Sequence, residues 1–379
     1  MLKNLDELLK RATDIVKKVK ENEKVCLIHH DDSDGCCSAA LFFILIEKIT
    51  KKTPVIFPIS GIEKINERFL NNIRRIGPDF IFIFDVTANP TSFSPFKGFV
   101  LDHHYFSSIK ERKEMPYLNP RIFEKDDEKV PPTSYMTYRI VRTFLPSERF
   151  AWIAGIGITE DHRVNICKDV FEEIKREYPD LIKGRIEQSE IENSFFGELW
   201  DMVRVGRMVK GVEGAKIAVK ALVECKDRPD RFINGLSRYS FALRRFYERV
   251  ISETENLLKD LKRNGEFHRR ERVIIYKQRK SKLRALTSYL ADKIRRRYPD
   301  WIICVVNEDY TKRKAKISIR LEQSRRKENL VELLEKIKKR LPDVKGGGHK
   351  SAIGVILDIN KLKDFEENFL SLIQEKNQN

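Results

Sequence analysis

The sequence predicts an α/β protein of two domains: an N-terminal parallel-sheet domain and a smaller C-terminal α/β domain, joined by a helical connector. The chain has 379 residues, which is enough for two to three domains. Short apolar runs alternate with helical patterns in two separate stretches, as α/β folds require. The stretch between them, from about Arg163 to Arg263, is polar and helical in pattern. We therefore expect domain boundaries at 1–185, 186–265 and 266–379.

The N-terminal elements follow from hydrophobic spacing. Leu2–Val19 has the periodicity of an amphipathic helix. Cys36–Ile49 is apolar nearly all round and predicts a helix packed deep against a sheet, and Asn66–Ile76 predicts another helix. Four short apolar runs predict buried strands, at residues 25–28, 55–59, 80–84 and 99–101. Apolar strands that alternate with helices are typical of a parallel sheet covered on both faces.

The C-terminal elements repeat this alternation after a long charged helix, which we predict over Phe232–Arg263. The same reasoning predicts four strands, at residues 272–276, 301–306, 315–321 and 352–357. It also predicts two helices, at residues 281–297 and 330–341. This second unit is the smaller of the two predicted domains.

The positive charge is concentrated in one part of the chain. Lys and Arg total 74 and Asp and Glu total 57, which gives a net charge of +17. Between Leu261 and Lys350 there are 28 basic and 11 acidic residues, so the rest of the chain is balanced. A polyphosphate partner favours such a region, because each neutralised phosphate releases a counterion. Alternatively, the high proportion of charged residues reflects surface ion-pair networks like those of thermophilic proteins. Such networks do not explain why the positive charge is concentrated in one region.

Composition also excludes several protein classes. The six cysteines show no zinc-binding spacing, and we expect them to be core residues in a reducing compartment. Asp6 and Glu7 stand where a secretion signal needs an apolar core. The longest apolar run, Cys36–Ile46, is about half of the ~20 residues that span a membrane. We therefore expect a cytoplasmic protein without membrane association.

Three of the predicted strands end in aspartate and histidine. The first is followed by residues 29–34 (HHDDSD), the third by Asp85, and the fourth by residues 102–104 (DHH). Ligands of open α/β sheets bind at the carboxyl ends of the strands, so these groups are expected to converge. Asp161 follows the run 157–160, which shows the same change from apolar to polar.

These residue types suit divalent metals. Asp32 and Asp34 lie two residues apart in a turn and can hold two different ions, which Asp85 could bridge and His103 could complete. Carboxylates at this density repel one another without cations. A mixture of carboxylates and imidazoles suits Mn²⁺ better than Mg²⁺, and paired metals are a standard device for displacement at phosphorus. Alternatively, the acids cap helices, as Asp34 and Asp102 could each do.

Five segments resemble, in order, the motifs of the DHH phosphoesterases and their associated DHHA1 domain. They are the run from His30 to Gly35 with Ser38-Ala39-Ala40 behind it, Asp85 in Phe84-Asp85-Val86, Asp102-His103-His104, Gly157-Ile158-Thr159-Glu160-Asp161, and the run from Gly346 to Gly354 (GGGHKSAIG). The resemblance covers most of residues 20–165 and 270–360. The sequence is most similar to archaeal RecJ-like nucleases.

The resemblance implies a DHH catalytic domain over 1–185 and a DHHA1 substrate-binding domain over 266–379. It implies six metal ligands, namely His30, Asp32, Asp34, Asp85, His103 and Asp161. His104 and Asp85 would be catalytic, with His104 touching the scissile phosphate or assisting protonation. Either His30 is a ligand in a shifted geometry or a water replaces it. The implied substrate-binding residues are Arg320, Gly346, Gly347, Gly348, His349 and Lys350.

The glycine run also has a physical interpretation of its own. Three successive glycines allow backbone N–H groups to turn toward one anion, and His349 and Lys350 add side-chain donors. A plain flexible turn is the alternative.

The predicted function is an exonuclease that uses two divalent ions, preferably Mn²⁺, with Mg²⁺ as the alternative. It would act on single-stranded DNA or RNA, in DNA repair or replication or in RNA turnover, with a helicase or replication protein as a candidate partner. A phosphodiesterase for short oligonucleotides or dinucleotides is the second hypothesis. A non-catalytic replication scaffold is the third, and it is disfavoured because every acidic ligand position is filled.

Overall fold

The computed structural model describes residues 3–61, 65–146, 148–278, 283, 286–322 and 327–377. The chain forms two compact units, Met1–Tyr247 and Glu248–Asn379, and both combine helices with a β-sheet. The predicted α/β class is therefore confirmed. The division between the units falls inside one long helix, and the helices of 186–247 pack on the first unit.

The first unit contains a five-stranded, wholly parallel sheet. Its strands are β1 (Val25–His30), β2 (Val55–Ile59), β3 (Phe80–Phe84), β4 (Lys97–Leu101) and β5 (Tyr117–Leu118). Their order is β2-β1-β3-β4-β5. The four predicted strands are confirmed. The fifth has only two residues, which is too short for a hydrophobic period to reveal it.

Ten helices of this unit are described. They are α1 (Leu5–Val16), α2 (Ser33–Thr50), α3 (Glu67–Ile76), α4 (Thr133–Arg142), α5 (Ala151–Glu160), α6 (Lys168–Glu177), α7 (Gln188–Asn193), α8 (Phe195–Lys210), α9 (Val212–Glu224) and α10 (Pro229–Ile233). The helix α2 lies between β1 and the helices α4, α5 and α9, so all of it except residues 47–49 is buried. This position explains why its sequence lacks a polar face.

The strand side chains alternate between two apolar layers. On one face of the sheet, the Phe42 ring of α2 packs against Phe82, Phe84 and Phe99, with centroids 4.7, 4.9 and 5.7 Å away. On the other face, Ile73 of α3 belongs to a second cluster with strand residues of β1, β3 and β4. Helices therefore cover both faces of the sheet, as predicted.

The long helix α11 (Arg238–Asn264) leads into the second unit, which contains a six-stranded mixed sheet. The elements that follow are β6 (Glu266–His268), β7 (Val273–Lys277), α12 (Leu286–Arg297), β8 (Ile302–Asp309), β9 (Lys314–Arg320), α13 (Leu330–Arg340), β10 (Lys345–His349), β11 (Ala352–Asp358) and α14 (Leu362–Asn377). The strand order of the sheet is β10-β11-β9-β8-β7-β6. The four predicted strands and the helix predicted over 330–341 are present. The helix predicted over 281–297 is present from Leu286, and residues 281, 282, 284 and 285 lie outside the described part of the chain. The elements β6, β10 and α14 were not predicted.

All six cysteines are buried and none forms a disulfide. Within the described residues, no helix is both long and apolar enough to cross a bilayer.

Candidate metal centre

The carboxyl ends of β1, β3 and β4 bring the predicted ligands together at one edge of the parallel sheet. Three groups of side chains offer ligand atoms within 4.8 Å of one another. These groups are Asp85 with His103 and His104, His30 with Asp32 and Asp85, and Asp34 with His103 and Asp161. Every metal ligand and catalytic residue suggested by the sequence is therefore in this cluster.

Asp85 belongs to two of the three groups. It follows β3 with a left-handed backbone (φ 62°), and its N–H donates to the Leu101 carbonyl at 2.9 Å. Its side chain is buried, with one oxygen 3.2 Å from His103 Nε2 and the other 3.5 Å from His30 Nδ1. Neither oxygen accepts a hydrogen bond from the described residues. Burial and the neighbouring Asp32 raise the pKa of Asp85 to about 7.

Asp34 is held from the opposite side by a helix terminus. Its two oxygens accept from the backbone N–H groups of Thr133 and Ser134, at 2.9 and 2.8 Å. These are the first N–H groups of α4, so Asp34 caps that helix rather than its own, which is capped by Asp32. Burial and Asp85 raise the pKa of Asp34 to about 7. Each oxygen has a second lone pair, so the cap is compatible with metal ligation.

The two adjacent histidines of β1 have different environments. His30 Nδ1 lies 2.5 Å from Asp32 and 3.5 Å from Asp85. Burial opposes its charge, but these two carboxylates outweigh that effect and raise the pKa of His30 to about 11. His29 is fully buried, its Nδ1 lies 2.7 Å from the His30 carbonyl, and burial lowers its pKa to about 4. His30 is the member of the pair that reaches the ligand cluster.

Asp102 orients His104, a role that sequence reasoning missed. It is fully buried and accepts from the His103 N–H and His104 Nδ1, both at 2.8 Å, and from Thr87 and Tyr117 at 2.8 and 2.7 Å. Burial opposes its ionisation, but the His104 hydrogen bond and charge outweigh it and hold the pKa of Asp102 well below its usual range. Burial alone would lower the pKa of His104, but the hydrogen bond to Asp102 outweighs that effect and raises the pKa to about 10. The expectation that Asp102 caps a helix is wrong, because no helix begins there.

His103 and Asp161 complete the third group. His103 Nε2 lies 3.2 Å from Asp161 Oδ2, which accepts no hydrogen bond within the described part of the chain. Burial and the neighbouring His104 lower the pKa of His103 to about 4, which leaves a neutral imidazole suited to a metal. The change from apolar to polar residues before Asp161 resembles the strand ends that precede the other ligands. In the structure, however, Asp161 follows the last turn of the helix α5. The next residue, His162, belongs to none of the three groups, and its Nδ1 lies 3.0 Å from Glu192 Oε1.

An outer layer from α8 supports the acidic cluster, and no local pattern in the sequence indicates it. Glu160 accepts from Ser33 Oγ at 3.1 Å and from Trp200 Nε1 at 2.5 Å. Arg204 and Arg207 each approach Glu160 to 3.5 Å, and Arg207 lies 3.7 Å from Asp31. These cations offset part of the negative charge at the metal centre.

The substrate-binding candidates lie in the second unit. Arg320 ends β9, and its guanidinium pairs with Asp292 at 2.9 Å and donates to the carbonyls of Ile319 and Ile353. The register places Ala352 opposite both Arg320 and His349. Directly opposed residues point to the same face of a sheet, so Arg320 and His349 share a face.

The glycine run forms the edge strand β10, and the predicted anion-binding loop is wrong in this respect. An added Cβ would lie 2.4 Å from the Gly354 carbonyl oxygen at Gly346 and 2.2 Å from the Ala352 carbonyl oxygen at Gly348. At Gly347 it would meet nothing within 4 Å. Two of the three glycines therefore allow β10 and β11 to approach closely. A run of glycines shows no alternation of apolar and polar side chains, so the sequence could not predict a strand here.

Comparison with known proteins identifies the second unit. Residues 274–375 match the DHHA1 domain family. The sequence matches no curated protein.

Solved structures of the same fold belong to several differently named proteins. RecJ from Thermus thermophilus in complex with Mn²⁺ matches 99% of this chain at 14% identity and a TM-score of 0.66, and that protein has also been solved with Mg²⁺. This chain covers 55% of that RecJ, so it spans about half of its length. The match with CDC45 from Entamoeba histolytica covers 98% of this chain and 98% of CDC45 (9% identity, TM-score 0.53). A pGpG-specific phosphodiesterase from Vibrio cholerae matches 93% of this chain and 99% of its own (13% identity, TM-score 0.52).

Proposed function

We propose that this chain, which shares the fold of RecJ and contains a C-terminal DHHA1 domain, is a metal-dependent phosphodiesterase that acts as an exonuclease on single-stranded DNA or RNA. The observation that carries the proposal is the state of Asp85. Neither oxygen of this buried carboxylate accepts a hydrogen bond from the described residues. The imidazoles of His30 and His104, 3.5 and 3.6 Å away, offset its charge only in part, because its pKa is still raised, and a divalent cation would complete the compensation. Imidazoles and further carboxylates surround it at ligand distances.

The residues present fit two divalent ions, for which we propose Mn²⁺ as the preferred metal and Mg²⁺ as the alternative. The side chains that would hold them are His30, Asp32, Asp34, Asp85, His103 and Asp161. Mixed oxygen and nitrogen ligands favour Mn²⁺, whereas Mg²⁺ prefers oxygen alone. When bound, such ions lower the pKa of a coordinated water and neutralise charge on the phosphate.

His104 has the properties of a phosphate contact or proton donor. Its side chain is half exposed, and Asp102 fixes the ring through Nδ1 at 2.8 Å. The hydrogen bond to Asp102 raises the pKa of His104 to about 10, which favours the protonated imidazole. It can therefore donate a charge-assisted hydrogen bond to a phosphate oxygen or a proton to the leaving oxygen.

We propose that the second unit binds the phosphates of the nucleic-acid substrate. Its region Leu261–Lys350 contains the whole net charge of +17. His349 lies on the exposed edge strand and Lys350 directly follows it, which suits contact with a nucleic-acid backbone. The glycines of β10 present backbone close to the surface. Arg320 is less available, because it is already paired with Asp292.

One specific observation favours each of two alternative functions. The fold shared with a pGpG-specific phosphodiesterase favours hydrolysis of dinucleotides or short oligonucleotides. The fold shared with CDC45 favours a non-catalytic scaffold, but the filled ligand cluster argues against it. We propose a helicase or replication protein as a partner of the exonuclease, and the fold shared with CDC45 supports this.

The test is turnover of labelled single-stranded DNA, single-stranded RNA, duplex and pGpG, each with Mn²⁺, Mg²⁺ or EDTA. We expect hydrolysis of a single strand with Mn²⁺ and none with EDTA. Asp85→Asn should abolish it, whereas Asp180→Asn, at a surface carboxylate, should not. Faster turnover of pGpG than of any strand would favour the dinucleotide alternative, and no turnover of any substrate would favour the scaffold.

A further inference from the structure

We propose that the ring of Tyr105, backed by Arg121, is a stacking platform for a nucleobase of the substrate beside the metal centre. This proposal rests on the proposed function and deepens it, because it makes the base, and not only the phosphate, part of what the site recognises. No sequence motif singles out either residue.

Tyr105 is exposed on one side and covered by a cation on the other. It directly follows His104, and 68% of its surface is accessible. The Arg121 guanidinium carbon lies 3.7 Å from the centroid of the ring. A ring held on one face by a guanidinium keeps its other face open for a planar group.

Arg121 is itself fixed to the metal centre. It is only 6% exposed, and its Nε donates to the backbone carbonyl of His103 at 2.6 Å. Its Nη2 pairs with Asp127, which also accepts from Arg163 at 2.9 Å. The ring of Tyr105 is therefore positioned by the same segment that carries His103 and His104.

A nucleobase is the occupant that fits this arrangement. Every base has a π-face, so stacking on an aromatic ring tolerates any sequence, as a nuclease requires. A phosphate bound near His104 places the attached nucleoside within a few bonds of Tyr105. A docking site for another protein is the competing explanation for an exposed aromatic residue, and it predicts no dependence on the base.

The test compares two single strands, one with ordinary bases and one with tetrahydrofuran abasic residues over the last few positions at both ends. Tyr105→Ala should lower kcat/KM for the base-bearing strand by about 5- to 150-fold, which corresponds to the loss of one stacked base. It should leave kcat/KM for the other strand unchanged, because the abasic ends of that strand offer no base to stack at the metal centre. Tyr105→Phe keeps the π-face and should restore the base-bearing activity.

Two measurements separate this role from a structural one. Phe241→Ala removes an exposed aromatic residue (58%) from α11, outside the metal centre and the basic region, and it should change neither activity. Mn²⁺ affinity from calorimetry should be equal in the parent protein and in Tyr105→Ala. An equal loss of activity on both strands, or no loss on either, would overturn the platform.

If the parent protein hydrolyses neither strand, the exonuclease proposal fails and the platform is decided by equilibrium binding. Fluorescence anisotropy of the same two strands then gives the answer. A preference for the base-bearing strand that disappears in Tyr105→Ala supports the platform, and equal binding of both strands by the parent protein overturns it.

Discussion

Replacing Asp85 by asparagine should stabilise the metal-free protein while abolishing turnover. Both oxygens of this buried carboxylate lack hydrogen-bond donors among the described residues, and its backbone is left-handed with φ 62°. Asparagine tolerates that backbone nearly as well as aspartate, whereas alanine would add strain. The Asp85→Asn variant therefore tests the charge without disturbing the backbone.

The expected magnitude follows from the pKa of Asp85. A rise from 3.8 to about 7 sets an upper bound of about 4 kcal/mol on the destabilisation by the carboxylate at high pH. Asp85→Asn removes the charge but keeps a buried polar group, and it takes a neighbouring negative charge away from His30 and His104. We therefore expect only part of this bound, about 1–3 kcal/mol, as the gain in stability at pH 8. Because the folded-state pKa is raised, the parent loses stability as pH rises from about 4 through about 7. The advantage of asparagine should therefore be less than half as large at pH 5, which lies only about one pH unit above the ordinary pKa of aspartate.

Urea unfolding in EDTA at pH 5 and pH 8 measures this effect. Asp102→Asn is the matched control, since Asp102 is also a buried aspartate of this edge but accepts several hydrogen bonds. It should destabilise the protein by about 1–3 kcal/mol at pH 8. Excess Mn²⁺ should reverse the order of parent and Asp85→Asn, because a bound ligand stabilises the folded state. A metal-free Asp85→Asn protein less stable than its parent at pH 8 would refute the reasoning.

Three further results are expected. His30→Ala should weaken Mn²⁺ binding by about 10- to 100-fold in calorimetry, and His29→Ala far less; equal losses would show that the ligand is misplaced. Gly348→Ala should lower the Tm, because its Cβ would lie 2.2 Å from a carbonyl oxygen at φ 146°, whereas Gly347→Ala should not; the same Tm for both would contradict the close approach of β10 to β11. Single-strand binding should fall with salt at a log–log slope of about −0.7 per phosphate neutralised, and a flat profile would remove the basic region from the binding surface.

The parallel sheet and its ligand edge could be predicted because they follow from local patterns. Short apolar runs predicted β1 to β4, and parallel strands bring their carboxyl ends to one edge. The groups that fix the ligands come from distant parts of the chain. The α4 terminus that holds Asp34 lies about a hundred residues downstream, and the α8 residues around Glu160 lie further along still. No local periodicity connects such groups, so only the tertiary structure reveals them.

The aspartates at this edge show why ligands and orienting residues cannot be separated from sequence. Asp85 and Asp102 both follow apolar strands and both are buried. Asp102 is satisfied by donors from three side chains and two backbone groups, so a cation would have to displace them. Asp85 has no such donors, and its pKa is raised where that of Asp102 is lowered. The number of hydrogen-bond donors at each carboxylate therefore distinguishes the proposed ligand from the residue that orients His104, and the two asparagine variants test that distinction directly.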